Sequence, residues 1–220
     1  MDARRYKIVY EDDRLIVVDK PSGMLVIPTP KKETNTLTDL LNRELDERGV
    51  VANAYPCHRL DRETSGLILY AKGKATQGLM MEEFRKRNVK KTYIAFVHGR
   101  LQKNSGVINK PIHNRNKNRL EDAITKYKVL ELRKDFSVLE VEPVTGRTNQ
   151  IRIHLKGIGH PLVGESVYVF RKDFKLKFKR VALHAKGIEF VHPATKEKLK
   201  FTSELPKDME KLICANSEQR

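Results

Sequence analysis

The sequence predicts one α+β domain built round a mostly antiparallel sheet, and three observations carry that prediction. Short apolar runs bounded by turn residues recur along the chain. Helical spacing of apolar residues is confined to a few separate stretches. No internal repeat or low-complexity linker divides the 220 residues, which are enough to bury a sizeable core.

Tyr6–Tyr10 and Leu15–Val18 are expected as strands, with Glu11-Asp12-Asp13-Arg14 as the turn between them. Asp19-Lys20-Pro21-Ser22-Gly23 follows as a loop, and Met24-Leu25-Val26-Ile27 resumes an apolar run. Thr36-Leu37-Thr38-Asp39 opens a helix that aligns Leu37, Leu40, Leu41 and Leu45 and stops at Gly49. Leu67-Ile68-Leu69-Tyr70-Ala71 is a buried strand; Lys74–Arg87 is a second helix, its Leu79, Met80, Glu83 and Phe84 at helical spacing and its Met and Phe expected in the core. Lys90–Val97 alternates as a strand, and residues 102–121 form a polar, basic segment expected to be a mobile loop. Ala123–Leu132 and Phe136–Val141 pair through Arg133-Lys134-Asp135. Ile151–Leu155 is a short amphipathic helix that Thr148 or Asn149 is placed to cap. A glycine-rich loop, a strand pair reaching Phe201 and a helix near Lys207–Cys214 complete the chain.

Lys and Arg total 44 against 28 Asp and Glu, a net charge of +16. The excess gathers in Arg85–Lys91, Arg115–Arg119 and Arg171–Arg180, a distribution that suits a polyanion such as nucleic acid better than a small anionic metabolite. No apolar run approaches the roughly 20 residues a membrane helix needs. Met1-Asp2-Ala3-Arg4-Arg5 carries no apolar leader core, so a cytoplasmic protein without membrane contact is expected. Cys57 and Cys214 stand alone, which supports neither a disulfide framework nor a zinc ribbon.

The stretch of most chemical interest is His58-Arg59-Leu60-Asp61-Arg62-Glu63-Thr64-Ser65-Gly66, just before the buried strand. It sets one carboxylate between two arginines on a loop at the edge of a sheet, where catalytic groups are commonly mounted. Arg59 and Arg62 favour the ionised carboxylate and can reach phosphate. The same arrangement also occurs in surface salt-bridge networks of little energetic weight.

Several blocks occur in order: Asp19–Gly23, His58–Gly66, Lys91-Thr92-Tyr93, Gly146-Arg147-Thr148-Asn149-Gln150-Ile151-Arg152-Ile153-His154-Leu155, Gly159-His160-Pro161 and Leu183-His184-Ala185. Together they resemble the RluA family of pseudouridine synthases, from about residue 8 to about residue 203 of the chain. The resemblance implies a bent mixed sheet, mostly antiparallel, with flanking helices and a central cleft, the whole of residues 1–220 being one catalytic domain. It implies isomerisation of specific uridines in structured RNA, tRNA or rRNA, without metal or other cofactor. Asp61 matches the essential aspartate, Tyr93 the tyrosine that stacks on the target base, and Arg152 the arginine paired with the catalytic carboxylate. Leu183 matches a pocket-lining apolar residue, and Arg59 the position that enters the RNA where the flipped base has left. Arg62, Thr64, Ser65, Gly66, Arg147 and Gln150 fall in the same blocks and are expected at the substrate.

Asn149 departs from the histidine of many relatives, and no N-terminal RNA-binding domain precedes residue 6, so the short form of the family is expected, acting as a monomer with no obligatory protein partner.

The chemistry suits these residues. An aspartate is ionised at neutral pH and serves either as nucleophile at C1′ or as base toward the sugar. A tyrosine offers a ring face for uracil and a hydroxyl for the proton lost from C5. Extruding the uridine costs a few kcal/mol, which basic stripes on phosphate would offset. His58, His154 and His184 are expected to brace loops. Three rivals remain: a basic RNA-binding protein without catalysis, a zinc deaminase, which Pro56-Cys57-His58-Arg59 fails for want of a second cysteine, and a carboxylate-pair glycosidase with Glu63 beside Asp61.

Overall fold

The computed structural model describes residues 6–114, 117–169 and 176–215. In chain order these form strands β1 (Lys7–Glu11) and β2 (Leu15–Lys20), helix α1 (Leu37–Glu47), β3 (Ala54–Pro56), β4 (Ser65–Lys72), α2 (Lys74–Arg85) and β5 (Lys90–His98). There follow β6 (Ser105–Asn109), β7 (Ile112–Asn114), β8 (Arg119–Glu121), β9 (Ile124–Leu132) and β10 (Phe136–Pro143). Helix α3 (Gln150–Gly157), β11 (Leu183–Val191), β12 (Lys198–Thr202) and α4 (Lys207–Ala215) complete the α+β fold. The chain divides into two compact units, Met1–Lys90 with Gly187–Ser203 and Lys91–Lys186 with Glu204–Arg220. Among the described residues no helix is long and apolar enough to cross a membrane.

In the first unit β2 pairs antiparallel with β1 and with β4, and the short β3 also pairs antiparallel with β4. The apolar run of β4 is buried almost throughout because both of its faces are covered. Leu15, Val17, Leu67, Leu69 and Met80 share one core cluster with Ile188 and Phe190 of β11, which pairs with β12. Helix α1 begins with a complete capping box, Thr36 receiving the backbone N–H of Asp39 while Asp39 receives that of Thr36. It buries Leu37, Leu41 and Leu45, as its spacing predicts, and ends where Gly49 adopts a φ of 72°.

The apolar run Met24–Ile27 serves α1: the carbonyls of Leu25 and Val26 accept its first free N–H groups, from Leu37 at 2.8 Å and Thr38 at 3.1 Å. In α2 Met80 is buried in the core and Phe84 packs against it, as expected, joined by Thr76, while Leu79, one step round the helix, is exposed.

In the second unit β10 pairs antiparallel with β5 and β9, and β9 with β6. Phe96, Phe136, Val138, Val163, Ala182 and Met209 form a core cluster, so α4 enters the core through Met209. The expected mobile loop at 102–121 is instead largely strand. Ile108 and Ile112 are buried anchors, and β6 finds its backbone partners on β9, Ile108 standing opposite Thr125. Of the polar residues that suggested a loop, Gln102, Lys103, Asn104, Ser105, His113, Lys117, Asn118 and Arg119 are exposed, while Arg115 and Asn116 lie outside the described residues. Asn149 occupies the N-cap position of α3 but makes no capping bond; its φ of 54° is left-handed, and its side chain is engaged elsewhere.

Candidate active site

The loop that carries Asp61 is tied down from the Asp19–Gly23 segment. Lys20 is fully buried, and its ammonium donates to the carbonyls of Pro21 at 2.9 Å, Met24 at 2.9 Å and Arg62 at 3.2 Å. The N–H of Gly23 donates to the same Arg62 carbonyl at 2.8 Å, and the Ser22 hydroxyl to that of Glu63 at 2.7 Å. Within the turn, Thr64 N–H donates to the carbonyl of Asp61 at 3.1 Å. Three successive carbonyls are therefore occupied, those of Arg62 and Glu63 by donors from the Asp19–Gly23 segment, and these external bonds help set the backbone that presents the Asp61 carboxylate.

On either side the expected residues divide by exposure. Arg59 and Arg62 are exposed, as phosphate contacts require, whereas Thr64, Ser65 and Gly66 are buried at the start of β4, with Gly66 opposite Lys20. The Thr64 hydroxyl is enclosed without a hydrogen-bond partner among the described residues. His58 braces the loop as expected: its Nε2 accepts the Leu69 N–H at 3.1 Å, and its ring lies against Phe84. A depression of about 900 Å³ opens beside this loop, between Pro21–Leu25 and α1, with Arg62 and Arg43 on its wall.

In the second unit Tyr93 lies on β5, opposite Val141 of β10, and is only 7% exposed. Lys91, two residues earlier, falls on the same face of the strand. Burial lowers its ammonium pKa to about 8, and its Nζ approaches Gly146 of the turn before α3.

That turn is fastened by Gln150. Its Oε1 accepts from the Thr145 hydroxyl at 2.6 Å and from the Arg147 N–H at 3.0 Å, and its Nε2 donates to the Ile124 carbonyl and to Thr125 Oγ1. The amide of Gln150 is thus committed to the frame. Arg147 reaches the Asp122 carbonyl and the Glu121 carboxylate at the end of β8. His154 also braces the frame as expected. Its Nε2 lies 2.9 Å from the Lys110 carbonyl, which assigns the proton to Nε2 and leaves Nδ1 to accept from Thr125; burial lowers its pKa. Leu183 is buried at the start of β11.

Arg152 stands on α3 in an enclosure that sequence reasoning missed. Its Nε and Nη2 donate to the two oxygens of Glu165, each at 2.8 Å, a bidentate pair whose carboxylate is completely enclosed. Nη1 donates to Asn149 Oδ1 at 3.2 Å, and the Tyr168 ring lies 5.1 Å from the guanidinium carbon. Asn149 Nδ2 in turn donates to the Tyr168 hydroxyl at 2.8 Å. Burial pushes the Glu165 carboxyl up, but Arg152 and the backbone N–H groups of Val167 and Tyr168 outweigh it and hold the pKa below the ordinary value.

Of the basic stripes, Arg115, Arg171, Lys172 and Lys175 lie outside the described residues. Arg85, Lys86, Arg87, Lys117, Arg119, Lys177 and Lys179 are exposed. Arg180 is buried and paired through two bonds with Asp208, so its charge is used within the fold. Among the described residues no group of three or more His, Cys, Asp and Glu side chains is arranged to hold a metal ion.

Comparison with known proteins converges on one family. The family described as RNA pseudouridylate synthase matches residues 14–156, a span that includes Asp61, Tyr93 and Arg152. The chain is 38% identical over 223 residues to ribosomal large subunit pseudouridine synthase D of Nitrosomonas europaea, covering 95% of this chain and 64% of that one. It is 35% identical over 206 residues to the dual-specificity RNA pseudouridine synthase RluA of Haemophilus influenzae, covering 89% and 91% of the two chains. Among solved structures, human RNA pseudouridylate synthase domain containing 4 superposes with a TM-score of 0.78 at 25% identity, over 92% of this chain and 90% of that one.

Proposed function

The chain belongs to the RluA family of RNA pseudouridine synthases, and from that premise we propose that it acts on structured RNA of the transfer or ribosomal class, with Asp61, Tyr93 and Arg152 as its catalytic residues. The reaction is an isomerisation. The bond between C1′ of the ribose and N1 of uracil breaks, the base turns, a bond from C1′ to C5 forms, and the proton that leaves C5 is matched by one taken up at N1, so the composition is unchanged.

In the proposed mechanism the target uridine leaves its stack to enter the site, and Arg59 fills the space it vacates. The Asp61 carboxylate acts on the ribose, as nucleophile at C1′ or as base toward the sugar. Tyr93 stacks on the uracil, and its hydroxyl receives the proton from C5. Arg152 steadies the Asp61 carboxylate by charge-assisted hydrogen bonds. Arg62 and Arg147 contact phosphate, Leu183 lines the base pocket, and Thr64, Ser65, Gly66 and Gln150 shape the surface against which the nucleotide lies.

One observation supports the Asp61 assignment most: its loop is held by three external hydrogen-bonded carbonyl contacts at the head of a buried strand, the rigid mounting that a positioned carboxylate needs. The RNA class is supported by the net charge of +16 and by the relatives, one named for the large ribosomal subunit and one for dual specificity. The chain is proposed to work in the cytoplasm as a monomer and as one catalytic domain.

The test is tritium release from RNA labelled at C5 of uridine, with wild type and Asp61→Asn assayed separately on transfer and ribosomal RNA. Release by wild type and none by the variant, with RNA binding retained, is the expected result and names the RNA class. Equal release by both proteins would remove Asp61 from the chemistry.

A further inference from the structure

We propose that Glu165, together with Tyr168 and Asn149, is a positioning device that sets the plane and direction of the Arg152 guanidinium. The proposal rests on the assignment of Arg152 to the catalytic set and adds three residues to it.

The argument starts from the shape of the side chain. A guanidinium is a flat fork, and its use at a reacting carboxylate depends on which edge it presents. Glu165 occupies the edge formed by Nε and Nη2 with two bonds of equal length, which fixes both the plane and the rotation of the group. The edge carrying Nη1 is turned away from Glu165, and Asn149 Oδ1 meets it. The guanidinium carbon stands over the Tyr168 ring, 5.1 Å from its centroid. Bonds along two edges and a ring packed beside the group leave the guanidinium little freedom to turn.

The clamp is itself braced. Glu165 Oε1 accepts the N–H groups of Val167 and Tyr168, at 2.9 and 3.2 Å, so the carboxylate is locked to its own turn. The Tyr168 hydroxyl accepts from Asn149, closing a ring of contacts from Arg152 through Glu165, Tyr168 and Asn149 back to Arg152.

A buried ion pair taken alone is weak evidence for any role beyond packing. The behaviour of Asn149 supplies the second observation. It stands at the N-cap of α3, where an asparagine side chain ordinarily accepts a helix N–H, and it makes no such bond. It adopts a left-handed φ of 54° and directs its amide to Arg152 and Tyr168 instead. Local helix stability is given up for the orientation of one guanidinium, the pattern expected where orientation matters to chemistry.

The experiment uses the full chain. Glu165→Gln, Tyr168→Phe and Arg152→Lys are compared with wild type for kcat and KM in C5-tritium release, for RNA binding, for Tm, and for the ¹⁵N–¹H signal of the Arg152 Nε. Glu165→Gln is expected to lower kcat by about 10- to 100-fold with KM changed less than about twofold, and to shift the Nε signal. Tyr168→Phe keeps the ion pair and the ring, so it guards against loss of folding in Glu165→Gln. It is expected to lower kcat by about threefold at unchanged Tm, because it frees Asn149 from its brace. A fall in Tm with kcat per folded molecule unchanged in both variants would make the clamp structural only and overturn the proposal. Full activity of Arg152→Lys would instead overturn the assignment of Arg152, and the positioning role with it. Loss of activity in Arg152→Lys alone would keep that assignment and reject the clamp.

Discussion

Lys20 donates a hydrogen bond from its buried ammonium to the carbonyl of Arg62, so a cation inside the first unit reaches across 42 positions of sequence to the residue after Asp61. Replacing it with methionine keeps the stem volume and removes the donor. Three carbonyls then lose a charged partner, at Pro21, Met24 and Arg62. Breaking a buried charged network from one side generally costs about 3–5 kcal/mol, and Lys20→Met is expected to fall in that range in urea unfolding. A midpoint equal to that of wild type would show that the ammonium contributes nothing net.

Glu165 makes the pH dependence of the second unit specific. Its carboxyl sits below the ordinary value of 4.5, so the unfolded chain takes up a proton there more readily than the folded one does. Its contribution to stability is therefore complete above about pH 4.5 and is lost as pH falls through the lower, folded value. The stability difference between wild type and Glu165→Gln, measured by denaturant unfolding across a pH series, is expected to be constant near neutrality and to shrink on acidification. A difference that grew on acidification would carry the wrong sign.

These two residues also mark how far the sequence could be read. The apolar run of β4, the capping signal at Thr36 and the helical spacing of α1 are local patterns, and each is present in the folded chain because burial and hydrogen bonding act on neighbours in sequence. The His58–Gly66 block was legible as a loop at the head of a strand for the same reason. Glu165 was not legible as the partner of Arg152. It is thirteen positions away, beyond the Gly157–Gly164 loop, and no periodicity survives such a loop. Polar residues misled for a related reason. The 102–121 segment has a loop's composition, yet its strands are half solvated and need few apolar anchors. Gln150 carries no mark of its four internal bonds.

Gly164, immediately before Glu165, has no room for a side chain. A Cβ there would lie 1.8 Å from the Arg180 carbonyl oxygen, and its φ of 79° disfavours any other residue. Gly159 has a similar φ of 86° but open space around it. Gly164→Ala is thus expected to lower stability by several kcal/mol, since backbone must move to admit the methyl group, while Gly159→Ala loses only about 1–2 kcal/mol from strain. Equal Tm values for the two variants would mean that the Gly164 turn relaxes freely.

The two cysteines should separate cleanly by reactivity. Cys57 is 3% exposed within the core cluster of the first unit, and burial raises its thiol to about 12, so almost no thiolate forms at pH 8. Cys214 lies exposed near the end of α4. Iodoacetamide at pH 8 is expected to modify one thiol per folded molecule, located at Cys214 by peptide mass, and both thiols once denaturant is added. Because reagent reaches Cys57 only through opening of the first unit, the slow rate at Cys57 also reports that unit's opening equilibrium. Lys20→Met should raise that rate, whereas Glu165→Gln, a change in the second unit, should leave it alone if the units open independently. Labelling of Cys57 at the Cys214 rate in the native protein would contradict its burial.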